Sequence, residues 1–279
     1  MAKTRELPAA TEIDTKSDNG VLSRSLGLLS VLVEAAKPMS LREIAEVVQL
    51  HDSTVHRLLQ ALCDIGYVGR SASRKYFALG KSFLPLSVYH PLNAIRRDSY
   101  ESLVELRELF GVTASLLVFI GTDRMLLDLA GSSGLLAPFY STHLNNPLHV
   151  SAAGKLILQR MTDEERAAFL GPPPYQQLTP LTKTTEADLN EDLALIVERG
   201  YATSIDENFT GMSAIAAPLL SGSDQIIGSL VLVGSTSRFS KPKILKMGAA
   251  LLDRARLISI GSAATRAVGG MFAVQNEPR

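Results

Sequence analysis

Apolar positions recur at helical spacing twice between residues 40 and 66, SLREIAEVVQLHDSTVHRLLQALCDIG. Leu41, Ile44, Ala45 and Val48 form one stripe, and Val55, Leu58, Leu59 and Leu62 form a second. Ser40 with Glu43 three residues on is a capping-box signature, so the first helix has a defined start. The second opens near Asp52 or Ser53 and stops at Gly66, a residue suited to the left-handed backbone just past a helix. Upstream, VLSRSLGLLSVLVEAA over residues 21–36 predicts a third amphipathic helix. Downstream, Tyr67–Arg70 and Lys75–Leu79 are β-like runs flanking Ser71-Ala72-Ser73-Arg74.

Three helices and a hairpin with a basic tip make a winged helix-turn-helix. The second helix of the pair leaves Ser53, Thr54, His56, Arg57 and Gln60 off its apolar stripe, and these side chains suit phosphate oxygens and base edges in a major groove. Arg70, Arg74 and Lys75 on the wing, with Arg24 on the leading helix, complete a basic footprint that gains from counterion release on DNA.

After Gly80 the pattern changes. An apolar stretch with Pro85 and Pro91 reads as a linker, followed by an amphipathic helix over 96–110 carrying Leu103, Leu106 and Phe110. Six β runs follow at 114–120, 125–130, 137–142, 201–205, 214–220 and 226–233. Helices are predicted at 152–161, at 163–169 behind the Thr162/Glu165 capping pair, at 186–199 before Gly200, and at 241–260 behind Ser240. The expected fold class is α+β: an N-terminal winged helix-turn-helix and a GAF-like C-terminal domain with a six-stranded antiparallel sheet flanked by helices. The expected partition is a disordered arm over 1–19, the winged domain over 20–81, a linker over 82–95, the sensor domain over 96–262 and a loose tail over 263–279.

Composition narrows this little. With 279 residues, 46% hydrophobic and 20% charged, the chain has length for a core in each of two domains. Its 28 basic and 28 acidic residues cancel, so any attraction to nucleic acid is local. The single cysteine, Cys63, excludes an internal disulfide framework and fits a reducing cytosol, and its neighbours assign it to the core. No apolar run approaches the roughly 20 residues that a spanning helix needs.

The winged element and the motifs behind it resemble the IclR (isocitrate lyase regulator) family of bacterial transcription factors. The resemblance runs from about Val21 to Ile260. It rests on Ser53-Thr54-Val55-His56-Arg57-Leu58-Leu59 with Gly66-Tyr67-Val68, on Pro147-Leu148-His149 with Ala152-Ala153-Gly154-Lys155, and on Gly200-Tyr201, Glu207, Gly211 and Ile215-Ala216-Ala217-Pro218. It implies a homodimer or homotetramer that binds double-stranded operator DNA of a catabolic operon and responds to a small organic-acid effector. It also implies effector contacts at Asn146, Ala152, Ala153, Gly154, Ser204, Ala214, Val231 and Val233. The amides of residues 152–154 open a helix, an apt place for a carboxylate. Family members that bind small keto acids carry polar residues where Ala214, Val231 and Val233 stand, so a larger, aromatic or hydrocarbon-like acid is expected. Two departures stand out. His51-Asp52 replaces the usual Pro-Lys before the recognition helix, where Asp52 is read as a cap, and Ala114-Ser115 replaces Glu-Thr.

Enzyme chemistry is not expected, nor a cofactor or metal. Ala153-Gly154-Lys155 lacks the remaining Walker residues, and Gly131-Ser132-Ser133-Gly134 lacks the order of a nucleophile elbow. His51, His56, His90, His143 and His149 have no paired ligand spacing, and His149 is read as a hydrogen-bonded core residue. Lys155 is read as a surface or structural cation, and Asp206-Glu207 as carboxylates without a catalytic partner. The competing reading is a GAF-like metabolite-binding protein or enzyme whose N-terminal helices serve only dimerisation.

Overall fold

A computed structural model describes residues 20–35, 37–71, 76–82, 90–131, 144, 146–222 and 225–275. The chain divides into two units, residues 1–90 and 91–279.

In the first unit, helices α1 (Gly20–Ala35), α2 (Leu41–Val48) and α3 (Asp52–Asp64) enclose one core. Leu28 and Leu32 of α1, Ile44 and Val48 of α2, and Val55, Leu59 and Leu62 of α3 meet there. The capping box forms as the sequence predicts: the Glu43 amide donates to Ser40 Oγ, and the Ser40 amide donates to the Glu43 carboxylate at 2.7 Å. Hydrogen bonding from the Ser40 side chain, and then from its amide, holds the Glu43 carboxyl below its ordinary range. Helix α3 begins differently from the expectation. His51 is its N-cap, with no side-chain bond, and Asp52 is the first helical residue. Asp52 therefore favours α3 through the helix dipole rather than as a cap. Gly66 takes φ +80 just past α3, a conformation that a side chain would strain.

Strands β1 (Met39–Ser40), β2 (Val68–Arg70) and β3 (Tyr76–Leu79) pair antiparallel in the order β1-β3-β2. The two-residue β1 has no counterpart in the sequence reading, because so short a strand has no period to see. The wing tip, with Arg74 and Lys75, lies outside the described residues, as do the arm over 1–19 and residues 83–89 of the linker. Cys63 is half-buried at the edge of the core.

The second unit opens with α4 (Pro91–Phe110), which starts five residues before the predicted helix, with proline in its first turn. Strands β4 (Thr113–Ile120), β5 (Asp123–Ala130), β6 (Ala202–Ile205), β7 (Met212–Leu220) and β8 (Ile226–Ser235) form an antiparallel sheet in the order β5-β4-β8-β7-β6. Five strands are thus described; the sixth expected one, at 137–142, lies outside the described residues. Period-2 alternation divides the sheet's two faces. Leu116, Val118, Ile215, Leu230 and Leu232 share one core with residues of α4 and of α8 (Lys241–Gly261). Leu117, Phe119, Ala216 and Val231 share the other with α5 (Ala152–Leu158) and α7 (Glu186–Arg199). Helix α6 (Asp163–Leu170) carries the expected Thr162/Glu165 capping box.

The expected loose tail is a helix, α9 (Ala263–Gln275), with Thr265 and Val268 fully buried. Its glycines and alanines weaken the hydrophobic signal, but Gly269 permits contact: a Cβ there would fall 2.5 Å from Ser221.

Lys155 is 0% exposed, the largest side chain buried to that degree. Its ammonium donates to both Glu207 carboxylate oxygens at 2.8 and 2.7 Å, to the Thr203 carbonyl at 3.0 Å and to Asp192. It is therefore a structural cation, joining α5, α7, β6 and the turn after β6. Burial pushes the Glu207 carboxyl above its ordinary range, against the pull of Lys155. Replacing Lys155 with Ala strands two carboxylates and is expected to cost about 3–5 kcal/mol. Urea unfolding checks this, and a loss below about 1 kcal/mol would contradict the buried ion triad.

Candidate functional site

Two surfaces carry functional geometry, one in each unit. On α3 the buried residues Val55, Leu58, Leu59 and Leu62 occupy one stripe, and Ser53, His56 and Arg57 are exposed, with Thr54 half-buried beside them. The core thus sets which side chains point outward. Gln60 behaves differently from the other expected contacts. Its amide donates to Asp64 at 2.7 Å, and its carbonyl oxygen accepts from Arg70 at 2.6 Å. The Arg70 guanidinium also lies 5.3 Å from the centre of the Phe77 ring. Gln60 and Arg70 therefore fasten α3 to strands β2 and β3, a role no sequence pattern reveals. Arg24 is half-buried on α1.

In the second unit a cavity of about 240 Å³ opens on the α5 face of the sheet. The strand register builds its floor: Ser115 pairs with Val231, Ala214 with Val233, and Ser204 with Ala214, so these small and β-branched residues adjoin one another. Leu117 extends the floor, while Asn146, Ser151, Ala152 and Ala153 form one wall. Seven of the eight expected effector positions, all but Gly154, line this cavity.

Gly154 has another task. A Cβ there would fall 2.3 Å from the Leu148 carbonyl oxygen, and its amide donates to Ser151 Oγ at 3.0 Å. It is a packing residue whose N–H is already used. The amides of Ala152 and Ala153 stand in the first turn of α5, where an α-helix supplies no acceptor.

The opposite wall was not foreseen. Asn208 and Phe209 line it from the turn after β6, with Ser213 and Met212 at the start of β7. That turn is held at both ends. Asp206 Oδ1 accepts from the Gly211 amide and the Thr236 hydroxyl, each at 2.6 Å, and Asp206 itself takes φ 56. The Glu207 carboxylate binds Lys155, and its carbonyl accepts from Thr182 Oγ1 at 2.7 Å. Hence Asp206-Glu207, read from sequence as carboxylates without a catalytic partner, fix the shape of the wall.

Arg124 is 3% exposed and donates to the Leu144 and Asn146 carbonyls and to Ser151 Oγ, three groups of the cavity's first wall. Desolvation pulls its guanidinium down to about 10, against Asp123, which favours the charged form. His149 is 3% exposed; its Nε2 donates to the Gln176 carbonyl at 2.9 Å, and its ring lies against Tyr175. This agrees with the reading of a hydrogen-bonded core histidine. No group of three or more His, Cys, Asp or Glu side chains suited to a metal occurs among the described residues.

Burial, reinforced by Lys155, holds His149 below its ordinary 6.5, so the unfolded chain takes the proton first. Stability is therefore expected to fall as pH drops from 6.5 toward the depressed value of the folded ring. In thermal melts, His149→Asn should show a shallower dependence over that window; an unchanged slope contradicts the assignment.

Residues 21–72 match the IclR helix-turn-helix domain, and residues 92–260 match the family described as bacterial transcriptional regulator IclR C-terminal. The chain is 26% identical over 278 residues to the acetate operon repressor of Salmonella typhimurium, covering 95% of this chain and 98% of that protein. It is 28% identical over 253 residues to the HTH-type transcriptional regulator BhcR of Paracoccus denitrificans, with 89% of each covered. Among solved structures, the fold resembles the Thermotoga maritima IclR, with a TM-score of 0.66, 23% identity, and 86% and 97% of the two chains covered. An IclR homolog of Microbacterium hydrocarbonoxydans complexed with 4-hydroxybenzoate gives a TM-score of 0.72 at 20% identity, covering 88% and 99%.

Proposed function

The chain belongs to the IclR family of bacterial transcriptional regulators, and from that premise we propose that α3 reads an operator while the second unit's cavity binds an aromatic carboxylic acid that controls that reading. Members of this family are ligand-responsive DNA-binding regulators rather than enzymes, which leaves the stand-alone metabolite-binding alternative without support.

The observation that carries the DNA-reading part is the exposure of Ser53, His56 and Arg57 opposite the buried stripe of α3. Arg57 has the reach for a bidentate contact to guanine, and Ser53, Thr54 and His56 suit phosphates or base edges. Gln60 supports them through Arg70 rather than by touching a base. Arg74 and Lys75 at the wing tip and Arg24 on α1 would add backbone contacts. Two heads on a pseudo-palindromic operator require a dimer or tetramer. Val21, Leu22, Leu26 and Val33, exposed on α1 away from its core residues, fit a contact between heads. Such a regulator works in the cytoplasm, where its operator is.

The effector part rests on size and lining. An apolar cavity of about 150 Å³ already holds benzene, so 240 Å³ accommodates one substituted ring. Ala214, Val231, Val233, Leu117 and Phe209 would pack its faces, and the first-turn amides of Ala152 and Ala153 would take its carboxylate. The 4-hydroxybenzoate in the Microbacterium relative is a ligand of this chemical class. Control of a catabolic operon for such acids follows from the same reading.

Arg57→Ala is expected to weaken specific operator binding by about 1–3 kcal/mol and to relax specificity at one position. Fluorescence anisotropy against specific and scrambled duplexes measures this, and equal losses on both would reassign Arg57 to a phosphate. Calorimetric titration with benzoates and with glyoxylate or pyruvate tests the cavity. Aromatic acids are expected to bind at least tenfold more tightly, and a preference for the keto acids would sink the aromatic assignment.

A further inference from the structure

Two hydroxyl groups of the 240 Å³ cavity have protons whose destinations the hydrogen bonding fixes. Ser204 lines the cavity from β6 and is 4% exposed. Strand alternation puts its side chain on the same face of the sheet as Ala202, which packs toward α5. Ser204 Oγ donates to the Val150 carbonyl at 2.7 Å. A carbonyl can only accept, so the one proton of Ser204 is committed and its oxygen offers lone pairs alone. Turning that proton toward a ligand would strand the carbonyl of Val150, a residue with no exposed surface.

Ser151 is the reverse case. It lines the same cavity, and its Oγ accepts from the Gly154 amide at 3.0 Å. It also accepts from Arg124, which itself lines a second cavity of about 420 Å³. With both acceptor positions filled, the hydroxyl of Ser151 is left as a donor toward the first cavity. Val150 and Ser151 are consecutive, about 3.8 Å apart at Cα. The acceptor bonded to the one and the donor carried by the other therefore fall within reach of two adjoining groups on a small molecule. Ala214 and Val233 continue the floor from Ser204 along one row of the sheet, an apolar seat beside that polar pair.

Resting on the assignment of this cavity to an aromatic carboxylic acid, we infer that its ligand is an aromatic 2-hydroxy acid. The carboxylate accepts from Ser151, and the hydroxyl on the adjoining carbon donates to Ser204. An arylacetic acid without that hydroxyl leaves the lone pairs of Ser204 unmet, and an ether at the same carbon sets an acceptor against them. A hydroxyl across the ring does not reach Ser204 while the carboxylate holds Ser151.

Calorimetric titration of the full chain with the two mandelate enantiomers, phenylacetate and α-methoxyphenylacetate tests the proposal. One mandelate enantiomer is expected to bind about tenfold more tightly than phenylacetate, and the methoxy acid no more tightly than phenylacetate. In Ser204→Ala the ratio of mandelate to phenylacetate affinity is expected to fall to about one. Either control acid equalling the better mandelate enantiomer in the wild type, or an unchanged ratio in Ser204→Ala, overturns the 2-hydroxy assignment alone. So does failure of all four acids where a benzoate binds. Failure of the benzoates as well removes the aromatic-acid reading beneath it.

Discussion

The buried ammonium of Lys155 is the constraint on which the sensing unit depends. Desolvating a lysine costs several kcal/mol unless its charge is met, and here Asp192, Glu207 and the Thr203 carbonyl meet it from α7, the turn after β6, and β6. Those three elements cannot shift independently without exposing an unpaired charge. The turn fixed in this way carries Asn208 and Phe209 to the first cavity, while α5, which supplies Lys155, also supplies Ala152 and Ala153. One ion cluster thereby sets the separation of two cavity walls. Arg124 does similar work on the remaining side by gathering the Leu144 and Asn146 carbonyls.

A wall of this rigidity suits a ligand-responsive regulator. A ligand shifts a conformational equilibrium only by its difference in affinity between the two states, and moving a population from one extreme to the other takes about 5.5 kcal/mol. A soft cavity would adapt to its ligand in either state and forfeit that difference. Two charged anchors, Lys155 and Arg124, limit the adaptation. The first unit shows a parallel economy: Gln60 and Arg70 hold α3 against the wing strands, while Ser53, His56 and Arg57 stay exposed beside half-buried Thr54.

Local patterns carried most of the head. Ser40 and Glu43 sit three residues apart, and the stripe from Val55 to Leu62 repeats within two turns, so both lie in the range where periodicity acts. Asp52 was misplaced by one position because aspartate favours both the N-cap and the first turn. The cavity floor was legible through the resemblance, since Ser204, Ala214, Val231 and Val233 fall on one face by strand alternation. The ion cluster was not: its members lie 37 and 52 positions apart, and nothing local marks them as partners. Gly154 was misread because a glycine at a helix start serves close packing and anion binding alike. Helix α9 was missed because glycine and alanine, which let it pack closely, also weaken its pattern.

On the proposed function, occupancy of the first cavity changes operator affinity. Operator binding by the full chain, followed by fluorescence anisotropy with and without a saturating aromatic acid, tests it in the wild type and in Ala214→Trp, where the cavity is filled. A shift of at least tenfold is expected in the wild type and none in the variant. An equal shift in both proteins, or no shift in the wild type with an acid shown to bind, would contradict it.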